Sequence, residues 1–266
     1  MSKTGFRTWL IVLFAAAVLL AGCGTNKRGG SQDELATSSD QTSAQKSAAI
    51  HLQLAAGYYG RNEMNVALDK IKLALQADPG MADAYSLRGL IYMSMGENRL
   101  AEENFQRALQ LDPNNPGISN NYGWFLCQNG RPAESIAYFD AALKNRKYTS
   151  PENALAQAGI CSLKLHDNDA AERYLLGAFK FAPGNSQISI LLARLYYDRK
   201  DYTRANFYIE RVVKTDVSNA DVLWLAIKIS HKLGDRLTEA TLGSQLHRFQ
   251  PDSAEYAAFQ RGAFDE

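Results

Sequence analysis

Nothing in the 266 residues has the spacing of a catalytic or metal centre. The four histidines, His51, His166, His231 and His247, are dispersed, with no carboxylate or cysteine partner at ligand spacing on a shared helix face. No Gly-x-Ser-x-Gly segment, phosphate-binding glycine loop after a strand, or pair of catalytic carboxylates stands out. The expectation is a protein that is not an enzyme, with no metal, cofactor or small-molecule substrate. Charge of one sign is missing too: 29 Lys and Arg nearly cancel 28 Asp and Glu, so no bulk field draws the chain to nucleic acid. Long apolar runs are confined to one place, Trp9 to Ala21.

That run follows Lys3 and Arg7 and ends in Leu20-Ala21-Gly22-Cys23, the order of a basic region, a short apolar core and small residues before a cleavage point. Its 13 residues fall short of the roughly 20 that a spanning helix needs. Leu-Ala-Gly-Cys resembles the bacterial lipobox, which implies a signal peptide over 1–22, acylation of Cys23 and a membrane anchor through the N-terminal lipid. Gly24 is not the Asp that resemblance associates with inner-membrane retention, so the expected location is the outer membrane, facing the periplasm. Cleavage would leave 27 basic against 28 acidic residues. Residues 23–47 are polar and Gly/Ser/Thr-rich beyond the cysteine, and read as a disordered tether.

From about Ala48 one pattern returns every 34 residues. Its clearest copy, 82–115, carries Tyr85, Gly89 and Tyr92 on one helical pattern, Ala101, Phe105 and Ala108 on a second, and Pro113 at the close. Two antiparallel helices approach closely only where small side chains meet, the role of Gly89 and Ala101, while Phe105 and Tyr92 fill the space beside the crossing. Pro113 ends the second helix because it cannot continue the hydrogen-bond ladder. The pattern matches the tetratricopeptide repeat and predicts an all-α, right-handed superhelix of six helix pairs over 48–81, 82–115, 116–151, 152–185, 186–219 and 220–251, with a short capping helix in 252–266. The third and fourth repeats start 36 residues apart, with Asn145 to Pro151 as a longer connector. Cys127 and Cys161 could pair in an oxidising compartment, but each falls on an apolar helical pattern where a free cysteine is a small buried residue, and the reading favours free thiols.

In such a superhelix the first helix of each repeat lines a concave groove, mainly through positions 2, 5, 9, 12 and 13. These positions give Leu52 and Tyr59, Leu90 and Met93, Asn120 and Trp124, Ile160 and Leu163, then Ile190, Arg194 and Tyr197, and Trp224, Lys228 and His231. The lining suits an amphipathic helix or an extended apolar segment, with Tyr and Trp as anchors and Asn120 offered to a backbone. A clamp for C-terminal carboxylates would need Lys and Asn where Leu52, Ala56, Ser86 and Leu90 stand.

The whole order of features resembles the PilF/PilW family of type IV pilus biogenesis lipoproteins. Asn120-Asn121-Tyr122-Gly123 with Phe125-Leu126, the connector with Tyr148 and Pro151, and the ending from Leu246 through Phe249, Pro251, Ser253, Glu255, Tyr256 and Phe259 carry that resemblance. It implies a pilotin, an outer-membrane lipoprotein that binds pilus secretin subunits and promotes their localisation and multimer assembly, without cofactor or catalytic residue. The alternative is another periplasmic repeat lipoprotein, an adaptor scaffolding cell-envelope enzymes or proteases.

Overall fold

The computed structural model describes residues 41–214 and 219–265. The signal-peptide and Cys23 readings, most of the tether, and Val217, which stands at the fifth repeat's closing position, lie outside the described residues. Among those described there are thirteen α-helices and no strand. Six pairs follow one another: α1 (Ser43–Gly60) with α2 (Met64–Ala77), α3 (Ala82–Ser94) with α4 (Asn98–Leu111), α5 (Pro116–Gln128) with α6 (Pro132–Lys144), α7 (Pro151–Lys164) with α8 (Asn168–Phe181), α9 (Ser186–Asp198) with α10 (Tyr202–Val213), and α11 (Ala220–Leu233) with α12 (Arg236–Phe249). A short α13 (Ala254–Arg261) follows. The repeats stack as a tetratricopeptide superhelix.

The first helix starts earlier than the composition of its neighbourhood suggests. Residues 43–47, read as tether, form the opening of α1. Thr42 and Gln45 make a reciprocal cap: the Thr42 hydroxyl accepts from the Gln45 amide at 3.1 Å, and the Gln45 side chain accepts from the Thr42 amide at 2.9 Å. A capping box satisfies two otherwise orphaned donors, enough to extend a polar first turn.

Each turn inside a repeat is built the same way. One residue takes a left-handed conformation, in succession Asn62, Gly96, Gly130, His166, Lys200 and Gly234, with φ between 58° and 80°. The residue that follows closes the turn onto the first helix, the Tyr58 carbonyl accepting from Glu63 and the Tyr196 carbonyl from Asp201, each at about 2.9–3.0 Å. Glycine adopts this backbone at no steric cost; His166 and Lys200 adopt it against a Cβ penalty. His166 is therefore a turn residue.

Small and large side chains trade places along the array at the point where the two helices of a repeat cross. The matched pairs are Ala55 and Ile71, Gly89 and Phe105, Gly123 and Phe139, Gly159 and Leu175, Ala193 and Ile209, and Ile227 and Gly243, all buried. The contacts are close: a Cβ on Gly89 would lie 2.8 Å from Phe105, on Gly123 3.0 Å from Phe139, and on Gly159 2.6 Å from Leu175. Interiors pack to near-crystalline density, so the summed volume at each crossing is held while its division between the helices varies.

The expectation of free thiols is overturned. Cys127 on α5 and Cys161 on α7 form a disulfide, their Cα atoms 5.9 Å apart. Cysteines at one repeat position on successive first helices would face the same way. Cys127 lies four residues after Gly123, whereas Cys161 lies only two after Gly159. Two residues turn about 200° on a helix, so Cys161 faces back toward α5. The bridge spans the joint where the repeat spacing lengthens. Tyr148 of the connector packs into the same cluster, with Phe139, Ala142, Ala154 and Ala158, and burial pushes its hydroxyl up to about 12.

Candidate functional site

Each first helix packs on its own partner, and α1, α3, α5 and α7 also pack on one another in succession, as α9 does on α11. Polar side chains tie them across this face. Tyr59 and Ser94 share a hydroxyl hydrogen bond of 3.1 Å, the Asn121 amide donates to the Ser86 hydroxyl at 3.1 Å, and Lys164 donates to the Gln128 side chain at 3.0 Å. Arg194 pairs with Asp221 between α9 and α11. Sequence reading missed these ties because each joins residues about one repeat apart whose relative height depends on the superhelix.

Of the side chains expected to line the groove, Leu52 and Tyr59, Leu90 and Met93, Trp124, Ile160 and Leu163 are half-buried. All of these except Ile160 are distributed over successive parts of the core. Leu52 and Tyr59 pack against Ala55, Ile71 and Ile91; Leu90 and Met93 against Phe105, Tyr122 and Phe125; Trp124 against the disulfide cluster. Leu163 joins the large C-terminal cluster. Each presents one side to its cluster and leaves the other accessible.

Asn120 departs from this pattern. It is only 6% exposed, and its Oδ1 is buried without a hydrogen-bond partner among the described residues. Position 5 of α5 is recessed between neighbouring first helices, so Asn120 is a sunken acceptor rather than an exposed rung. An acceptor left unpaired at such depth costs about 1–3 kcal/mol, a cost that an incoming donor removes.

The C-terminal end of the face also differs from expectation. Trp224 is 8% exposed, and Tyr197 is partly covered, its hydroxyl donating to the Phe264 carbonyl at 3.4 Å. Burial raises the Tyr197 hydroxyl above its ordinary range. Arg194, Tyr197, Trp224 and Lys228 border a hollow of about 140 Å³ beside this contact. Repeats one to four thus carry the accessible apolar face, while the end formed by repeats five and six is occupied by the chain's own tail.

A separate charged knot lies among α8, α9 and α10. The Tyr196 hydroxyl donates to Glu172 at 2.6 Å, and Glu172 also pairs with Arg199 and, at 3.2 Å, with Arg204. These partners, the Tyr196 hydrogen bond foremost, hold the Glu172 carboxyl below its ordinary value. Arg204 also lies over the Tyr196 ring, 4.3 Å from its centroid. The knot fastens the second helix of repeat four to repeat five. Among the described residues no three His, Cys, Asp or Glu side chains converge on a metal position, and no helix is long and apolar enough to cross a membrane.

Tetratricopeptide-repeat patterns match residues 82–115 and 104–137. The type IV pilus assembly protein PilF of Pseudomonas aeruginosa is 29% identical over 249 residues, covering 94% of this chain and 96% of its own. Its solved structure superposes with a TM-score of 0.77 at 28% identity, over 83% of this chain and all of that one. The crystal structure of PilW, a widely conserved type IV pilus biogenesis factor, is 34% identical, covers 80% of this chain and 98% of its own, and has a TM-score of 0.72. Repeat architecture and likeness over nearly the full length agree: the chain belongs to the PilF/PilW family of tetratricopeptide-repeat proteins of type IV pilus biogenesis.

Proposed function

We propose that the protein is a pilotin: a lipid-anchored scaffold of the outer membrane, facing the periplasm, that binds pilus secretin subunits and promotes their localisation and assembly into multimers. The observation that carries this reading is the run of half-buried apolar and aromatic side chains on the first helices of repeats one to four, from Tyr59 through Leu90, Met93 and Trp124 to Ile160 and Leu163. Folding does not require apolar groups at positions that remain accessible, and a contiguous apolar patch marks an interaction surface. A segment of secretin lying along that face would offer apolar side chains to Trp124 and Leu90 and a backbone N–H to the sunken Asn120 oxygen. The protein then acts by holding its partner, with no chemistry and no cofactor.

Anchoring is assigned to acyl chains on Cys23, since two or more chains hold stably where one binds marginally. Affinity purification of the tagged chain from detergent-solubilised outer membranes tests both parts. Secretin as the main co-purifying protein supports the reading; a cell-wall enzyme or protease in its place removes it. A Cys23→Ser chain is expected in the soluble periplasmic fraction, and its persistence in membranes at high salt would contradict lipid anchoring.

A further inference from the structure

The C-terminal residues lie where a bound peptide would lie. After α13 the chain turns at Gly262 in a left-handed conformation, φ 68°, and Ala263 closes the turn onto the Ala258 carbonyl at 3.0 Å. The Phe264 ring then stacks on His231, centroids 3.7 Å apart, and on Trp224 at 5.6 Å, with Phe259 edge-on at 6.3 Å. Its carbonyl receives the Tyr197 hydroxyl, and the Asp265 carboxylate pairs with Lys232. Tyr197, Trp224, His231 and Lys232 belong to α9 and α11 and occupy groove positions 12, 5, 12 and 13 of repeats five and six.

Capping of the array does not need this contact. α13 is seated separately: Phe259 packs on Gly243, Tyr256 stacks on His247 at 4.9 Å, and Ala258 is buried. The residues beyond Arg261 can therefore leave while α13 stays. What they occupy has defined chemistry, an aromatic slot between Trp224 and His231 followed by a lysine for a carboxylate.

We propose that the concave end of repeats five and six is a second peptide-recognition site, for a partner segment in which an aromatic residue is followed by an acidic one, and that Phe264 and Asp265 hold it closed in cis. The tail itself shows which side chains fit, and Lys232 supplies the charge complement. A tether of a few residues gives the tail an effective concentration on the order of millimolar, so a partner segment must compete with it. The proposal stands apart from the identity of the partner bound by repeats one to four.

The test uses the full-length chain in detergent, a deletion of 262–266, and a Phe264→Ala variant. The probe is a fluorescent synthetic peptide with the sequence of residues 261–266, followed by anisotropy. The deletion and Phe264→Ala chains are expected to bind it at least tenfold more tightly than the unaltered chain. Trp224→Ala in the deletion background should abolish the gain, and an unrelated peptide that keeps only the Phe-Asp pair should compete. Equal binding by all chains, or no binding by a deletion chain whose melting is unchanged, overturns the proposal. If the deletion chain fails to fold, Phe264→Ala supplies the same comparison. Concentration-dependent dimers of the unaltered chain that vanish on deletion would give the tail to a second copy and likewise overturn closure in cis.

Discussion

Phe259 fills the space that Gly243 leaves: a Cβ on Gly243 would lie 2.3 Å from the Phe259 ring. At the matched place in repeats two and three the second helix supplies its own ring, Phe105 or Phe139. Repeat six puts glycine there, and α13 folds back to insert the missing aromatic. Among the described residues the sixth pair is followed by α13 alone, and this exchange makes that helix an integral part of the core of repeat six.

The exchange predicts a change of sign. In the natural chain, Gly243→Ala forces the Phe259 ring aside and lowers stability by about 1–3 kcal/mol, as overpacking does. In a Phe259→Ala background the clash is gone, and the same Gly243→Ala substitution raises stability by up to about 1 kcal/mol through helix propensity. Chemical denaturation of the four chains measures it; the same sign in both backgrounds would detach Phe259 from Gly243.

Bridging Cys127 and Cys161 closes a loop of 34 residues across the irregular joint. The chain-entropy account gives such a bridge about 3–4 kcal/mol. A Cys127→Ala, Cys161→Ala chain is expected to melt roughly 10 °C lower, on the usual scale for a domain of this size. Reductant should lower the melting of the natural chain toward the same value and leave the variant unmoved. Identical melting of all samples would show that the joint is held by packing alone.

Stability should fall at both ends of the pH range for separable reasons. Glu172 has its folded value depressed by Tyr196, Arg199 and Arg204, so its contribution is present above the ordinary carboxylate value of about 4.3 and is lost as pH falls below it. Tyr148, Tyr174 and Tyr196 are pushed up to about 12, chiefly by burial, so their contribution is complete below about pH 10 and is lost as pH rises from there toward 12. Tyr148→Phe should flatten only the alkaline side of a stability profile. Tyr196→Phe should flatten both, because it also removes the hydrogen bond to Glu172. A Tyr196→Phe profile unchanged on the acid side would separate Glu172 from acid unfolding.

On the accessible face, a paired Leu90→Asp, Trp124→Ala chain should stay helical and membrane-bound yet leave the secretin as monomers on a semi-denaturing gel. Loss of an aromatic anchor removes about 2 kcal/mol or more of binding, roughly a thirtyfold drop in affinity. Thermal melting of the purified variant within a few degrees of the natural chain confirms that folding is intact. Normal multimers from such a chain would move the interface away from repeats one to four.

The repeat is legible in the sequence because its determinants are local and periodic. Gly89 with Phe105, Gly123 with Phe139 and the proline at 113 recur at fixed intervals, and helix pairs with small residues at the crossing have one economical way to stack. The same regularity predicts one face for Leu90, Met93, Trp124 and Ile160, all of them half-buried. What the period could not reach was whatever depends on breaking it. The disulfide arises because two additional residues rotate Cys161 toward α5, a consequence of register rather than of the cysteine spacing itself. Thr42 and Gln45 made a helix start out of residues whose composition reads as linker. Asn120 sank, and Phe259 and Phe264 returned across the chain to Gly243 and Trp224, because burial at those places is set by how neighbouring helices lie against one another, which tertiary packing alone determines.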